Sequence, residues 1–89
     1  MSKKEVEFSN RDRFVELGLM IASLRKMQGM SQEKLVEKAK ISRSHLSSIE
    51  APNIVRPFSL EVLYNIVDAL GVWAGDLLNA TLPPTTPTK

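Results

Sequence analysis

The sequence contains no cysteine, which excludes disulfide bridges, thiolate metal sites and a cysteine nucleophile. It has one histidine, His45, so every zinc site built on two histidines is excluded too. Its four glycines form neither G-x-G-x-x-G nor G-x-x-x-x-G-K-[ST], the runs whose backbone cradles phosphates. Paired carboxylates are missing. Glu16, Glu61, Asp68 and Asp76 are scattered without an acid–base partner at helical spacing, so no glycosidase-like chemistry is expected. Long apolar runs are missing as well. The longest, around Leu17 to Leu24, is interrupted by Gly18 and Ser23 and falls far short of a bilayer span. The start of the chain is charged and polar, unlike a secretory leader. These absences predict a cytoplasmic protein with no membrane segment, no catalytic centre, no cofactor and no metal.

What is present fits one small domain. The chain has 89 residues, 43% hydrophobic and 25% charged, close to the globular average. Its net charge is only +2, but the charge is uneven. Arg11, Arg13, Arg25, Lys26, Lys34, Lys38, Lys40, Arg43 and Arg56 lie between residues 11 and 56. Beyond Arg56 the only base is Lys89, against Glu61, Asp68 and Asp76. Such a distribution suits an anionic partner on one side, or ordinary solvated helix faces.

The pattern predicts five helices and no strand, with an arm over residues 1–10 and an unstructured tail over 81–89. The tail, TLPPTTPTK, carries three prolines, which fix φ and remove backbone donors. A first helix is expected from about Asn10, as cap, to Met27. Asp12 would sit in its first turn and Phe14, Leu17, Ile21 and Leu24 on one face. Gly29 is its stop signal. Ser31 caps a second helix, about Gln32 to Ala39. Met30 and Leu35 are spaced for a hydrophobic staple there, and Glu33 and Glu37 face Lys34 and Lys38. Ser42 caps a third, Arg43 to about Glu50, with Leu46 and Ile49 inward. Ser59 caps a fourth, Leu60 to Leu70, closed by Gly71. A fifth, short helix covers Trp73 to Asn79. Met20, Met27 and Met30 are expected to fill gaps in the core.

Two short helices joined by a turn of about three residues make a helix-turn-helix. In that arrangement the second helix presents its N-terminal residues to base edges in the major groove. Here the outward positions are Ser42, Arg43, Ser44, Ser47 and Ser48, with His45 on the flank. Short polar side chains of this kind let a helix approach the groove floor. Four serines also make a poor helix former, a local cost of the kind found at functional sites.

Six strings carry a resemblance: I-A-S-L-R (21–25), M-S-Q-E-K-L (30–35), S-R-S-H-L-S-S-I-E (42–50), R-P-F-S-L-E-V-L (56–63), A-L-G-V (69–72) and D-L-L (76–78). In this order and spacing, from about Leu19 to Leu78, they resemble the Cro/phage-repressor type of helix-turn-helix domain, often called the XRE family. The resemblance implies an all-α, five-helix, lambda-repressor-like domain over residues 11–80. It implies base-facing roles for Ser42, Arg43, Ser44 and Ser48, with Ser47 beside them, and Arg43 has the fork that suits a guanine O6/N7 pair. Gln32 matches a position that contacts a phosphate and braces the third helix. Lys40, His45, Asn53 and Arg56 are further phosphate candidates. Arg25 and Glu50 match a structural ion pair.

The sequence departs from the family pattern in places. Lys40 stands where relatives often have glycine and so is expected at φ > 0. Ala51 and Pro52 replace a polar residue and glycine, and the loop that follows is largely apolar. Phe58 and Trp73 are expected to close the chain's own core. Ile54, Val55, Phe58, Leu78 and Leu82 are candidates for the two-fold dimer interface that the family commonly forms here. The expected function is a homodimeric DNA-binding transcriptional regulator, most simply a repressor, on a roughly palindromic operator. The alternative is a protein-interaction module such as an antitoxin, which neutralises a partner protein.

Overall fold

The computed structural model describes residues 8–81. Within them the chain forms five helices and no strand: α1 (Phe8–Met27), α2 (Gln32–Ala39), α3 (Arg43–Glu50), α4 (Leu60–Leu70) and α5 (Ala74–Thr81). This is the all-helical, lambda-repressor-like arrangement that the sequence predicts.

Local chemistry sets most of the boundaries. Ser31, Ser42 and Ser59 each hold extended backbone angles and accept a hydrogen bond from the amide three residues on, at 3.0, 3.0 and 3.1 Å. Each satisfies an amide that the helix itself leaves unpaired, worth about 1 kcal/mol per cap. The left-handed ends are equally local. Gly29 (φ 68°), Lys40 (φ 59°) and Gly71 (φ 73°) terminate α1, α2 and α4. At each end an amide one residue later reaches back five positions, from Met30, Ile41 and Val72, as helix-closing turns do. Lys40 thus adopts the left-handed geometry that glycine tolerates best, at a cost of about 1–2 kcal/mol.

Two ends differ from expectation. α1 begins at Phe8, so residues 8–10 of the expected arm are helical. Asn10 lies inside the helix, where its carboxamide oxygen accepts from Arg13 Nη1 at 3.4 Å. Asp12 consequently falls outside the first turn. α5 starts at Ala74 and runs to Thr81, with Trp73 in the cap position, its carbonyl accepting from Leu77 N. The remainder of the expected arm and of the expected tail lies outside the described residues.

The core gathers one stripe from each helix. Leu17 and Ile21 of α1, Leu35 and Ala39 of α2, Leu46 and Ile49 of α3, Leu63, Ile66, Val67 and Leu70 of α4 and Leu77 of α5 are buried together. Each fully buried aliphatic side chain contributes about 1.5–3 kcal/mol. α1 packs on α3 and α5, α2 on α3 and α4, and α4 on α5. Gln28 Nε2 ties the end of α1 to the Leu70 carbonyl at 2.8 Å. Where α1 crosses α3, Gly18 lies so close that a Cβ there would overlap the Ile49 carbonyl. As sequence, Gly18 read only as an interruption of an apolar run.

Two apolar residues sit elsewhere than expected. Trp73 is 79% exposed and does not close the core. Leu77, buried on the inner face of α5, takes that place. Met27 is 80% exposed, while Met20 and Met30 pack against the core. Among the described residues no helix is long and apolar enough to cross a membrane.

Candidate nucleic-acid interface

α2 and α3 meet across residues 40–42, and α3 turns one face in and the other out. Leu46, Ile49 and Glu50 are buried. Ser42, Arg43, Ser44 and Ser47 are exposed, and Ser48 is half-buried, further in than its outward position predicts. Ser42 Oγ caps the helix and lies 3.4 Å from Ser44 Oγ. The serine-lined N-terminal face is therefore open to a partner. With its side chains an α-helix is about 10–12 Å across, a size that a major groove about 12 Å wide accepts.

Behind this face runs a chain of hydrogen bonds. Arg25 of α1 holds Glu50 of α3 with a two-pronged grip, Nε to Oε2 and Nη2 to Oε1, both 2.9 Å. Its Nη1 donates to the Met30 carbonyl at 2.7 Å. Both side chains are more than nine-tenths buried. Gln32 Nε2 donates to Glu50 Oε1 at 2.8 Å. Gln32 Oε1 in turn accepts from Arg43 Nε at 2.8 Å and from Ser47 Oγ at 3.2 Å. Gln32 thus bridges the buried ion pair to the exposed face of α3, and its carboxamide oxygen is fully used. A charge removed from water at the Arg25–Glu50 pair is tolerable only because nearly every donor and acceptor there is matched.

Arg43 is not free. Besides Gln32, it binds Glu33 through Nη1 to Oε2 at 2.9 Å. The expected pairing of Glu33 with lysines of its own helix is thereby corrected. Only Glu37 finds a lysine, Lys34, at 3.8 Å. A contact across the turn could not be read from spacing along α2.

The remaining candidates lie around this centre. Lys40, Asn53 and Arg56 are exposed. His45 is half-buried, and burial first, then the nearby Arg56 charge, lowers its pKa below the ordinary 6.5. At neutral pH it faces a partner as a neutral ring, able to offer a hydrogen bond but not a positive charge. The folded state binds its proton less readily than the unfolded one, so this residue erodes stability as pH falls below about 6.5.

The dimer candidates divide. Ile54 and Leu78 are exposed, Val55 is half-buried, and Leu82 lies outside the described residues. Phe58 is half-buried against the core and meets Phe14 edge to face, centroids 5.8 Å apart at 75°. Phe58 and Leu78 also line an open apolar cleft of about 420 Å³ with Phe14, Leu17, Leu60 and Leu63. Leu60, the first residue of α4, is 65% exposed at its rim. Among the described residues no group of histidine and carboxylate side chains is arranged to hold a metal ion.

A family model described as a helix-turn-helix domain matches residues 18–83, about three quarters of the chain. That family is one of DNA-binding domains of the Cro-like type and is typically non-enzymatic. No curated protein and no solved structure matches the chain.

Proposed function

This chain belongs to the helix-turn-helix domain family, and we propose that it binds duplex DNA sequence-selectively as a homodimeric transcriptional repressor in the cytoplasm, with no catalytic step and no cofactor. The observation that carries this reading is the division of α3. Its buried side is locked to α1 and α2, and its other side offers Ser42, Arg43, Ser44 and Ser47 to solvent. A rigid helix with short polar side chains can enter the major groove, where each base pair shows a distinct donor and acceptor pattern. Arg43 supplies the reading group, with Ser48 at the groove's edge. Gln32, Lys40, His45, Asn53 and Arg56 touch the flanking backbone, which fixes register.

One copy with a single arginine at the groove has little specificity. Two copies reading half-sites about one helical turn apart have enough. The apolar cleft between α1, α4 and α5, lined by Phe58 and rimmed by Leu60 and Leu78, supports pairing through that side, with Ile54 and Val55 as further interface candidates. The test is selection of bound duplexes from a random pool. We expect a two-fold symmetric consensus, and an affinity that falls steeply with salt as phosphate counterions are released. If no duplex is enriched, the DNA reading fails and the apolar cleft becomes the site of a protein partner instead.

On the selected duplex, Arg43→Ala is expected to cost about 1–3 kcal/mol and to relax preference at one base step. An equal loss on selected and scrambled duplexes would take the base-reading role away from Arg43.

A further inference from the structure

We propose that Glu33 is a positioning residue that makes Arg43 a reader of bases instead of a phosphate clamp. The inference rests on the DNA-binding reading above. Glu33 is the second residue of α2 and Arg43 the first of α3, and their 2.9 Å ion pair spans the turn at the face offered to DNA. Both side chains are more than half exposed, and an exposed ion pair adds little to the stability of a fold. A carboxylate beside a polyanion is moreover unfavourable, unless it acts on its partner.

The geometry shows what it does. Arg43 Nε is held by Gln32 and Nη1 by Glu33. Gln32 is itself fixed to the buried Arg25–Glu50 pair. One corner of the guanidinium is thus anchored to the protein interior through Gln32, and a second is held at the surface by Glu33, while Nη2 and the second hydrogen of Nη1 remain to donate outward. A free arginine at this place would be drawn to whichever phosphate lay nearest, because charge attraction has little directionality. With Glu33 beside it, the couple carries no net charge and that pull is cancelled. What survives is a pair of donors held in a set orientation, which only a correctly placed pair of base acceptors satisfies. The ordering of a long, flexible side chain has also been completed before DNA arrives.

The experiment is a double-mutant cycle on Glu33→Gln and Arg43→Ala, with Glu37→Gln as a second variant of equal charge change. Binding is titrated over a salt series on the duplex enriched from the random pool and on a scrambled duplex. Glu33→Gln is expected to tighten scrambled binding several-fold and to reduce the enriched-to-scrambled ratio by about 5–10-fold. The log–log salt slope on the scrambled duplex is expected to steepen by about 0.9, one added phosphate contact. In the Arg43→Ala background, Glu33→Gln is expected to leave the ratio unchanged, as is Glu37→Gln in the wild type. Equal tightening on both duplexes, or the same fall in ratio without Arg43, overturns the assignment while leaving the DNA reading intact. A wild type that binds neither duplex overturns both.

Discussion

Glu50→Ala is expected to lower the unfolding free energy by about 3–5 kcal/mol. The Glu50 carboxylate accepts Nε and Nη2 of Arg25 and Nε2 of Gln32, so its removal orphans three donors at once. The guanidinium cannot swing to water. It is buried, and its Nη1 is fixed to the Met30 carbonyl at the start of α2. An unpaired buried charge is the costly outcome, whereas the intact pair is close to break-even. A domain of this length has about 4–13 kcal/mol in total, so the variant loses a large share of its stability. Urea denaturation followed by far-ultraviolet circular dichroism measures the loss. The combined Arg25→Met, Glu50→Leu variant is expected to recover much of it, because it leaves no buried charge unpaired and only the Gln32 amide and the Met30 carbonyl lose a partner. A Glu50→Ala loss under about 1 kcal/mol, the range of exposed pairs, would mean that solvent reaches the pair. The effect extends outward as well. Gln32 would lose its anchor, and with it the register of Arg43 and Ser47 on the exposed face.

The parts of this molecule legible in the sequence are those decided within a few residues. A serine three positions before a backbone amide caps a helix wherever the chain is going, so Ser31, Ser42 and Ser59 mark three helix starts correctly. Lys40 is left-handed, as the resemblance implies for a position where relatives often have glycine. The α2–turn–α3 unit follows from these signals, and the apolar stripes follow from periodicity. The misreadings concern contacts between distant residues. Spacing along α2 places Glu33 near lysines, but the fold brings Arg43 of the next helix closer. Trp73 reads as core because it is large and aromatic. The first turn of α5 buries Leu77 instead and leaves the indole outside. The start of α1 differs from expectation for another reason. Asn10 is a good cap in isolation, but the helix extends through it to Phe8, and a residue inside a helix has no free amides to cap.

Gly18 is the sharpest case of a non-local constraint, and its substitution is the second large effect. By local propensity, Gly18→Ala favours α1 by up to about 1 kcal/mol. The packing reverses the sign. The new methyl would overlap the carbonyl of Ile49, which belongs to the backbone of α3 and cannot rotate aside like the tip of a side chain. α1 and α3 must separate, and Leu17 and Ile21 then lose contact with Leu46 and Ile49, which are buried with them. We expect a net loss of about 3 kcal/mol, the upper end of the usual range for overpacking. Gly75→Ala supplies the contrast. It is also helical, but nothing lies within 4 Å of a Cβ at that position, so it is expected to stabilise by about 0.5–1 kcal/mol. Denaturation of the two variants side by side reads opposite signs from one and the same chemical change. A neutral or stabilised Gly18→Ala would show that α1 and α3 sit further apart in solution. The register of α3 against α1 would then no longer be set by backbone contact, and the exposed serine face would have to owe its placement to the Arg25–Glu50 pair alone.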